Sequence, residues 1–351
     1  MNIALTCSIK PDGLSDKDKY AEFDSKETIN DLAKAIEANG HSVTIINVDE
    51  NIFETLRKNK NKIDIVFNVA EGLAGEFRES IVQVCCEILG IPYHGPSPLT
   101  AAITLNKAKT KEILIANNIP TPKFQVFYNI DEELNKNIHF PLLIKPVLEG
   151  SSKGIFNENL VSNEAELKKI VSKIIKNYNQ PVIVEEFLNG REFTVSVIGY
   201  ENPIVLPIVE VKFDHLPKDI HPMDSYESKW IYDNPDFIEK NPDKDPLKCP
   251  AEITKELEEK IKKTAIKTFK VLDCKDWSRI DIRLDKNNVP NVLEVNALPG
   301  FMKDPKENSR LPKAAYAAGW SYEKLIGEVL NSAIRRLKTR KLKIFLSFVK
   351  L

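Results

Sequence analysis

The sequence has few of the residues from which disulfide frameworks and zinc sites are built. Only five of its 351 residues are cysteine, an odd number, and no two of them form a C-x-x-C pair. Neither a disulfide framework nor a zinc knuckle is therefore supported. We expect a protein of a reducing compartment, which favours the cytoplasm.

Long apolar runs and an excess of one charge are also missing. The formal net charge is -1, which provides no general field to attract nucleic acid or an anionic membrane. No apolar run approaches the length that spans a bilayer, and the N-terminal run is too short for a signal peptide. We expect no nucleic-acid partner and no stable membrane insertion.

Positive charge is concentrated at the C-terminal end. Residues 334–351 carry seven lysines and arginines and no acid. This basic tail is either the end of a final helix, ordered or frayed, or a basic amphipathic segment that touches a membrane or a partner. Its apolar part, IFLSFV, is short, which favours the first interpretation.

The first hundred residues alternate between strand and helix patterns. Apolar runs predict strands over 3–9, 42–48 and 63–68, and helical spacing predicts helices over 26–39 and 79–89. A strand, a helix and a second strand in this order form a β-α-β unit with parallel strands. We assign residues 1–102 to an N-terminal parallel α/β domain.

The rest of the chain divides into two units, 103–190 and 191–333. A helix over 99–117 leads into the first, which has strands at 124–128, 142–145 and 182–187 and a helix at 164–176. The second reads as mainly antiparallel strands, beginning with FTVSVIGY and IVLPIVEV. Within it, residues 212–251 contain six prolines and no periodicity, which predicts a long loop acting as a lid over a site. The fold class is mixed α/β and α+β.

Two strands near the C-terminal end carry acids on one face. In SRIDIRLD, Asp281 alternates with apolar residues, and in VLEVNALPGF Glu294 shares a face with Asn296. If a two-residue turn joins Asp285 to Asn288, these side chains meet on one surface. Carboxylates this close repel unless a cation lies between them, and their oxygens suit magnesium. The alternative is that Asp281 is paired with an arginine on a solvated face.

A glycine-containing loop follows a buried strand in FPLLIKPVLEGSSKGI. The strand delivers Lys145, and the loop contains Gly150, Ser151, Ser152 and Gly154. Glycines let backbone N–H groups approach an anion, and serines add hydroxyl donors. The stretch is a candidate phosphate-binding loop, although such a loop is also an ordinary turn in many proteins.

A third stretch, PVIVEEFLNGREF, places acids beside an aromatic residue at the end of a strand. Alternation puts Glu185 and Phe187 on one face and Glu186 on the other. Such an edge can accept a hydrogen bond from an adenine amino group, and Glu192 can accept from ribose hydroxyls. Surface acids without any role are equally common.

The order and spacing of these stretches are more specific than any one of them. LNKAKTK, IKPVLEGSSKGI, EFLNGREFTVSVIG, RIDIRLD and LEVNALPGF follow one another in a way that resembles the ATP-grasp carboxylate-amine ligases, and within them the D-alanine-D-alanine ligases. The resemblance covers about residues 63 to 330. It implies an ATP-grasp fold, in which the parallel α/β domain precedes two ATP-grasp subdomains with mainly antiparallel sheets.

The resemblance also implies a role for each matching position. The positions that it assigns to ATP are Lys107, Lys145, Ser152, Glu185, Glu186, Phe187, Glu192 and Lys229. Those that it assigns to two magnesium or manganese ions are Asp281, Glu294 and Asn296. Those that it assigns to the reaction are Arg279, Ser151 and Gly300, with Ser309 at the acceptor's carboxylate.

The activity that the resemblance implies is ATP-dependent joining of amino acids through an acyl phosphate, with release of ADP and phosphate. This chemistry belongs to peptidoglycan biosynthesis for the bacterial cell wall. The resemblance further implies small amino-acid substrates and a homodimer.

Three departures from the family lie where the first amino acid would be recognised. Glu22 is the nearest acid to a glutamate that the family carries after its first strand, Glu71 stands where a histidine is usual, and Trp230 stands where a tyrosine is usual. We hypothesise that ligation is retained with a carboxylate donor other than D-alanine, whose ammonium Glu22 or Glu71 meets. The alternatives are an L-amino-acid or peptide ligase of the same superfamily and an ATP-binding regulatory protein without turnover.

Overall fold

The computed structural model describes residues 1–11, 20–72, 74–233, 235–241 and 245–349. These residues contain a three-stranded parallel sheet near the N-terminus, a four-stranded antiparallel sheet in the middle and a six-stranded antiparallel sheet in the C-terminal half. This mixture confirms the predicted fold class. No helix in the described part of the chain is long and apolar enough to cross a membrane.

The N-terminal unit is built on the parallel sheet. Its elements are β1 (Asn2–Cys7), α1 (Lys26–Ala38), β2 (Ser42–Asn47), α2 (Ile52–Asn59), β3 (Ile65–Asn68) and α3 (Ile81–Leu89). The strand order is β2-β1-β3, so the predicted β-α-β unit is confirmed, while α2 has no counterpart in the prediction. Ser25 caps α1 by accepting a hydrogen bond from the backbone N–H of Thr28.

The predicted single helix over 99–117 is wrong, because the chain breaks at Asn106. Two helices, α4 (Pro98–Leu105) and α5 (Lys107–Ala116), meet there. The backbone of Asn106 is extended, and its side chain accepts a hydrogen bond from the N–H of Lys109 at 3.0 Å. This cap satisfies a free donor at the start of α5 and makes Lys107 its first residue.

The central unit contains β4 (Phe124–Phe127), β5 (Leu142–Pro146), β6 (Leu160–Val161), α6 (Glu164–Tyr178) and β7 (Val182–Glu186). The strands are antiparallel in the order β4-β7-β5-β6. Along β7, Val184 packs in one core with Leu167 of α6, and Ile183 packs in another with Val147. The predicted alternation of faces is confirmed, and it directs Glu185 to the same side as Ile183.

The C-terminal unit contains the largest sheet. Its elements are β8 (Glu192–Gly199), β9 (Ile204–Val205), β10 (Val209–Val211), α7 (Pro235–Lys240), β11 (Leu247–Lys248), α8 (Lys255–Val271), β12 (Asp276–Leu284), β13 (Pro290–Asn296), α9 (Arg310–Ala317) and α10 (Tyr322–Val349). The predicted strand IVLPIVEV is split into β9 and β10, since Pro207 between them has no N–H to donate. The predicted loop 212–251 contains α7, β11 and a π-helical turn at Ser228–Tyr232.

The hairpin of β12 and β13 has a different register from the one supposed. Asp281 lies directly opposite Glu294, and a bulge follows, after which Ile282 lies opposite Val292. The turn is longer than two residues because the Asp285 carboxylate accepts hydrogen bonds from two N–H groups beyond it. The bulge brings the acids of the two strands side by side on one face.

A buried carboxylate, Asp276, joins the N-terminal unit to the C-terminal helix. It accepts hydrogen bonds from the N–H of Gly95 at 2.9 Å, from Ser332 Oγ at 2.9 Å and from Arg336 Nη2 at 2.7 Å. Arg336 lies inside the predicted basic tail, and α10 continues through that tail to Val349, as the first interpretation of the tail predicts. The division of the chain into domains remains a prediction.

We expect the substitution Arg336→Met to lower the free energy of unfolding by about 3 kcal/mol, because it leaves a buried carboxylate without its cation. Urea denaturation of the purified protein measures this. The control is Arg335→Met, which removes a neighbouring arginine that is 66% exposed and should cost under about 0.5 kcal/mol. Equal losses in the two variants would contradict a structural role for the pair of Arg336 and Asp276.

Candidate active site

Two adjoining cavities lie between the central and C-terminal units, and one of them extends to residues of the N-terminal unit. The larger encloses about 670 Å³ of empty space, open solvent included, and the smaller about 490 Å³. The residues that line both are Lys107, Glu149, Gly150 and Glu294. A ligand in one cavity is therefore next to a ligand in the other. We call them the nucleotide cavity and the donor cavity, after the roles proposed for them below.

Two lysines and a glutamate form a buried cluster in the nucleotide cavity. The Glu185 carboxylate lies between the ammonium groups of Lys145 and Lys111, and the Lys111 nitrogen is 2.8 Å from it. Burial alone would raise the pKa of Glu185, but the two lysines outweigh it and lower the pKa to about 2. Glu185 is therefore ionised and fixes Lys145 in the cavity wall. Its predicted contact with adenine remains a prediction.

Sequence reasoning missed Lys111, although a signal was available. Lys111 lies four residues after Lys107 on α5, so the two share one helix face. Lys107 donates a hydrogen bond to the carbonyl of Glu149. The lysines that face the two cavities thus come from α5 and β5.

The candidate phosphate loop contains consecutive residues with positive φ values. Ser151 and Ser152 have φ values of 52° and 60°, a left-handed conformation that residues with a side chain rarely adopt. Gly154 has a φ of 74°, and a side chain there would overlap Pro146. Ser152 Oγ donates to the carbonyl of Asp224 at 2.9 Å. The loop is therefore held in a strained shape from the lid side.

The acids on the hairpin come together at the junction of the cavities. Asp281 is buried and accepts hydrogen bonds from Thr194 Oγ1 at 2.5 Å, from Arg279 at 2.9 and 3.1 Å and from Asn296 Nδ2 at 3.1 Å. Burial would raise its pKa, but Arg279 and Arg310 outweigh burial and lower it to about 2. Among the described residues, none donates a hydrogen bond to the Glu294 carboxylate, which interacts with Lys107 and Lys145 through charge.

A divalent cation fits this group of side chains. The Glu294 carboxylate accepts no hydrogen bond from the described part of the chain, and the Asn296 nitrogen donates to Asp281, so the amide oxygen can point toward a cation. Oxygen donors of this kind suit magnesium or manganese. No three His, Cys, Asp or Glu side chains of the described ranges are grouped around a metal position, so a cation would rest on two carboxylates and an amide. Asp281 already accepts from four donors, and one of them must move for a cation to bind it.

The far end of the nucleotide cavity is lined by Glu186, Phe187 and Glu192. Arg283 connects the last two, because its guanidinium lies over the Phe187 ring at 4.6 Å and donates to Glu192 at 3.0 Å. Burial raises the pKa of Glu192 to about 7 despite this arginine. Glu186 accepts from the N–H of His139.

The predicted lid, residues 212–251, lies against the candidate phosphate loop. Trp230 Nε1 donates to the carbonyl of Ser151 at 3.3 Å, and Asp224 lines the nucleotide cavity. Lys229 lies beside the Trp230 ring, and burial lowers its pKa. Arg310, another residue that sequence reasoning missed, donates to Asp224 at 2.8 Å and ties the lid to α9.

Gly300 and Ser309 line neither cavity. Ser309 Oγ donates to the carbonyl of Gly300 at 3.3 Å, so the two lie together on the loop after β13. Gly300 is exposed. Their predicted roles toward an oxyanion and an acceptor carboxylate remain predictions.

The donor cavity contains an unusual number of acids. Glu22, Glu71 and Glu79 line it. Glu22 forms an ion pair with Arg78, whose guanidinium donates to the two carboxylate oxygens of Glu22 at 2.8 and 3.0 Å. Glu71 and Glu79 are hydrogen-bonded to each other, and burial raises the pKa of both, that of Glu79 to about 7. Sequence reasoning overlooked Arg78 and Glu79, which lie a few residues after Glu71 in the same segment.

Comparisons with known proteins agree on one family. Residues 107–331 match the family described as "D-ala D-ala ligase C-terminus". The D-alanine-D-alanine ligase of Carboxydothermus hydrogenoformans is 33% identical over 340 residues, which cover 94% of this chain and 97% of the relative. An uncharacterized protein of Sinorhizobium fredii is 32% identical over 311 residues, 87% of each chain.

Solved structures give the same answer. The crystal structure of a D-alanine-D-alanine ligase from Bacillus anthracis complexed with ATP is similar with a TM-score of 0.72 at 25% identity, and the match covers 97% of this chain and 99% of that one. The VanG D-Ala:D-Ser ligase of Enterococcus faecalis shares the fold with a TM-score of 0.69 at 22% identity.

Proposed function

The chain belongs to the D-alanine-D-alanine ligase family, and on that premise we propose that it is an ATP-dependent ligase that joins two amino acids through an acyl phosphate. The observation that carries the proposal is the convergence of Lys107, Lys145, Asp281 and Glu294 on one cavity. Two cations and two carboxylates at one point suit a polyphosphate with its counter-ion. The family uses ATP, a divalent metal and small-molecule substrates.

The reaction starts from a carboxylate, which is a poor electrophile. One of its oxygens attacks the γ-phosphorus of ATP, ADP leaves, and the resulting acyl phosphate has a good leaving group. The acceptor's amine then attacks the carbonyl carbon, and phosphate leaves from the tetrahedral intermediate. Lys107, Lys145 and Lys229 hold the phosphates, and Arg279 neutralises charge that develops between them. Gly300 stabilises the oxyanion with its N–H, and Ser309 holds the acceptor's carboxylate.

The remaining residues bind the nucleotide, the metal ions and the substrate. Glu185, Glu186 and Phe187 surround the adenine, and Glu192 meets the ribose. Asp281, Glu294 and Asn296 hold two magnesium or manganese ions, which supply neutralisation of phosphate charge. Ser151 and Ser152 meet substrate and phosphate from the loop, and Trp230 closes the loop against water, which would hydrolyse the acyl phosphate.

The donor is an amino acid other than D-alanine. This part of the proposal is supported by the donor cavity, where Arg78 occupies the Glu22 carboxylate and leaves Glu71 and Glu79 to receive an ammonium group. A cation between these two carboxyl groups would allow both to ionise. A D-alanine donor would instead match the D-alanine-D-alanine ligases among its relatives and place the enzyme in peptidoglycan synthesis, as the family implies. A cytoplasmic homodimer is also part of the proposal.

We expect ADP release to require a divalent cation and the Glu294 carboxylate. Chelation of metal with EDTA should abolish turnover, and Glu294→Gln should reduce kcat by about 100-fold or more, since it removes charge at the phosphates. Binding of Mn²⁺, followed by electron paramagnetic resonance, should weaken in the same variant. Glu259→Gln, an exposed change on α8, should leave both unchanged. Retained turnover in Glu294→Gln would contradict the metal site.

A panel of D- and L-amino acids, tested singly and in pairs, identifies the substrates. ADP release is measured with each, and the products are weighed by mass spectrometry. We expect the strongest release with a donor other than D-alanine. Release that is strongest with D-alanine alone would overturn the changed donor and retain the ligase. Nucleotide binding without ADP release under every mixture would favour the regulatory alternative.

The pH dependence of kcat/KM distinguishes binding of the donor from binding of the nucleotide. Glu79, with a pKa of about 7, is neutral below that pH and negative above it. An ammonium donor should therefore bind better as pH rises, and kcat/KM for the donor should increase about tenfold between pH 6 and 8 at saturating ATP. Glu79→Gln should remove this increase, whereas Glu76→Gln, an exposed neighbour, should keep it. A slope that persists in Glu79→Gln assigns the titration to another group.

A further inference from the structure

A buried arginine of the N-terminal unit reaches the candidate phosphate loop of the central unit. Arg78 Nη1 donates to the carbonyl of Leu148 at 2.7 Å, and Nη2 donates to both oxygens of Glu22 at 2.8 and 3.0 Å. Glu22 Oε1 in turn accepts from the N–H of Gly150 at 2.8 Å. The side chains of Arg78 and Glu22 are 8% and 9% exposed. The pair thus holds the loop at Leu148 and at Gly150.

The contact fixes three consecutive residues of the loop. Leu148 is bound by Arg78, the carbonyl of Glu149 by Lys107, and Gly150 by Glu22. A side chain at position 150 would overlap Glu22 Oε1, so glycine is required for this approach. Because the hydrogen bonds of Arg78 and Glu22 involve charged groups shielded from water, they are stronger than neutral ones.

The same contact affects the ammonium group of Lys107. That ammonium lies on the Glu149 carbonyl, between the two loop residues that Arg78 and Glu22 hold. A shift of the loop would therefore move Lys107 together with Gly150 and Ser152, and all three line the nucleotide cavity. Lid contacts hold the opposite side, since Ser152 Oγ donates to the Asp224 carbonyl.

We propose that Arg78 is a positioning residue for the nucleotide: acting through Glu22, it holds the phosphate loop and Lys107 in the arrangement that binds ATP. This inference rests on the proposed function for its turnover readout, but nucleotide binding tests it independently. Arg78 touches neither nucleotide nor donor in this scheme.

The substitution Arg78→Met should weaken nucleotide binding about tenfold or more, because it leaves the Glu22 carboxylate buried with only a backbone donor and allows the loop to move. Arg78→Lys should lose less affinity than Arg78→Met, because the lysine ammonium restores the positive charge. It should still bind less well than arginine, since an ammonium lacks the planar guanidinium that donates to Leu148 and Glu22 at the same time. Combining Glu22→Gln with Arg78→Met should cost no more than the larger single loss, because the two residues act in series.

The experiment measures the dissociation constant of ATP by calorimetry with Mg²⁺ and without amino acid, and then KM for ATP and for the donor. The matched control is Arg57→Met, an arginine paired with Glu54 at the surface of the same unit, which should leave the ATP dissociation constant unchanged. Thermal unfolding of each variant checks folding. If Arg78→Met does not fold, Arg78→Lys and Glu22→Gln carry the test.

The outcomes separate the two proposals. Weaker ATP binding in Arg78→Met, partial recovery in Arg78→Lys and non-additive loss support the positioning role, whether or not ADP is released. ATP binding within about threefold of the unsubstituted protein in Arg78→Met, or losses that multiply in the double variant, overturn it. Absence of ADP release with intact ATP binding overturns the ligase proposal alone. Absence of ATP binding in the unsubstituted protein overturns both.

Discussion

The placement of β12 between β8 and β13 is the constraint on which the site depends. Hydrogen bonds on both edges hold this strand, so its side chains must alternate between two faces. Ile280 and Ile282 enter the core beneath α8, and that burial fixes Asp281 on the opposite face. A shift by one residue would bury Asp281 among apolar side chains at a cost of several kcal/mol. The apolar residues therefore determine where the acid lies.

The site's charges are of two kinds. Some are satisfied within the protein, such as Glu185 between its two lysines and Asp281 against Arg279. Others accept no hydrogen bond from a cation among the described residues, as is the case for the Glu294 carboxylate, or are hydrogen-bonded to another acid, as Glu71 and Glu79 are. Charged side chains that are paired within the protein hold the cavity walls in place, and those without a hydrogen-bonded cation are available to a ligand. This division puts the available groups beside the phosphate loop and in the donor cavity.

The spacing of apolar residues along the sequence predicted those parts of the fold that depend on neighbouring residues alone. The β-α-β unit, the alternation in β7 and the acidic face of β12 follow from periodicity, and the fold class and family are confirmed. The break at Asn106 and the bulge after Asp281 depend on one hydrogen bond or one extra residue, which periodicity does not register. Pairs such as Arg78 with Glu22, 56 residues apart, require the tertiary arrangement. The individual residue roles remain predictions.

The difference between residues that could be predicted and those that could not has a physical reason, and it concerns which amino acid the enzyme accepts as donor. Several residues proposed for the nucleotide and its cations, among them Lys145, Glu185, Asp281 and Glu294, lie on strands, where alternation sets their direction. The three acids Glu22, Glu71 and Glu79 of the donor cavity lie in the segments after β1 and β3, where no strand period applies and contacts across units set their position. Turns tolerate exchange of side chains better than buried strands do. The proposed change of donor therefore depends on exchanges in these segments, an acid in place of the family's usual histidine and an arginine bound to Glu22, whereas the ligase chemistry depends on the strands.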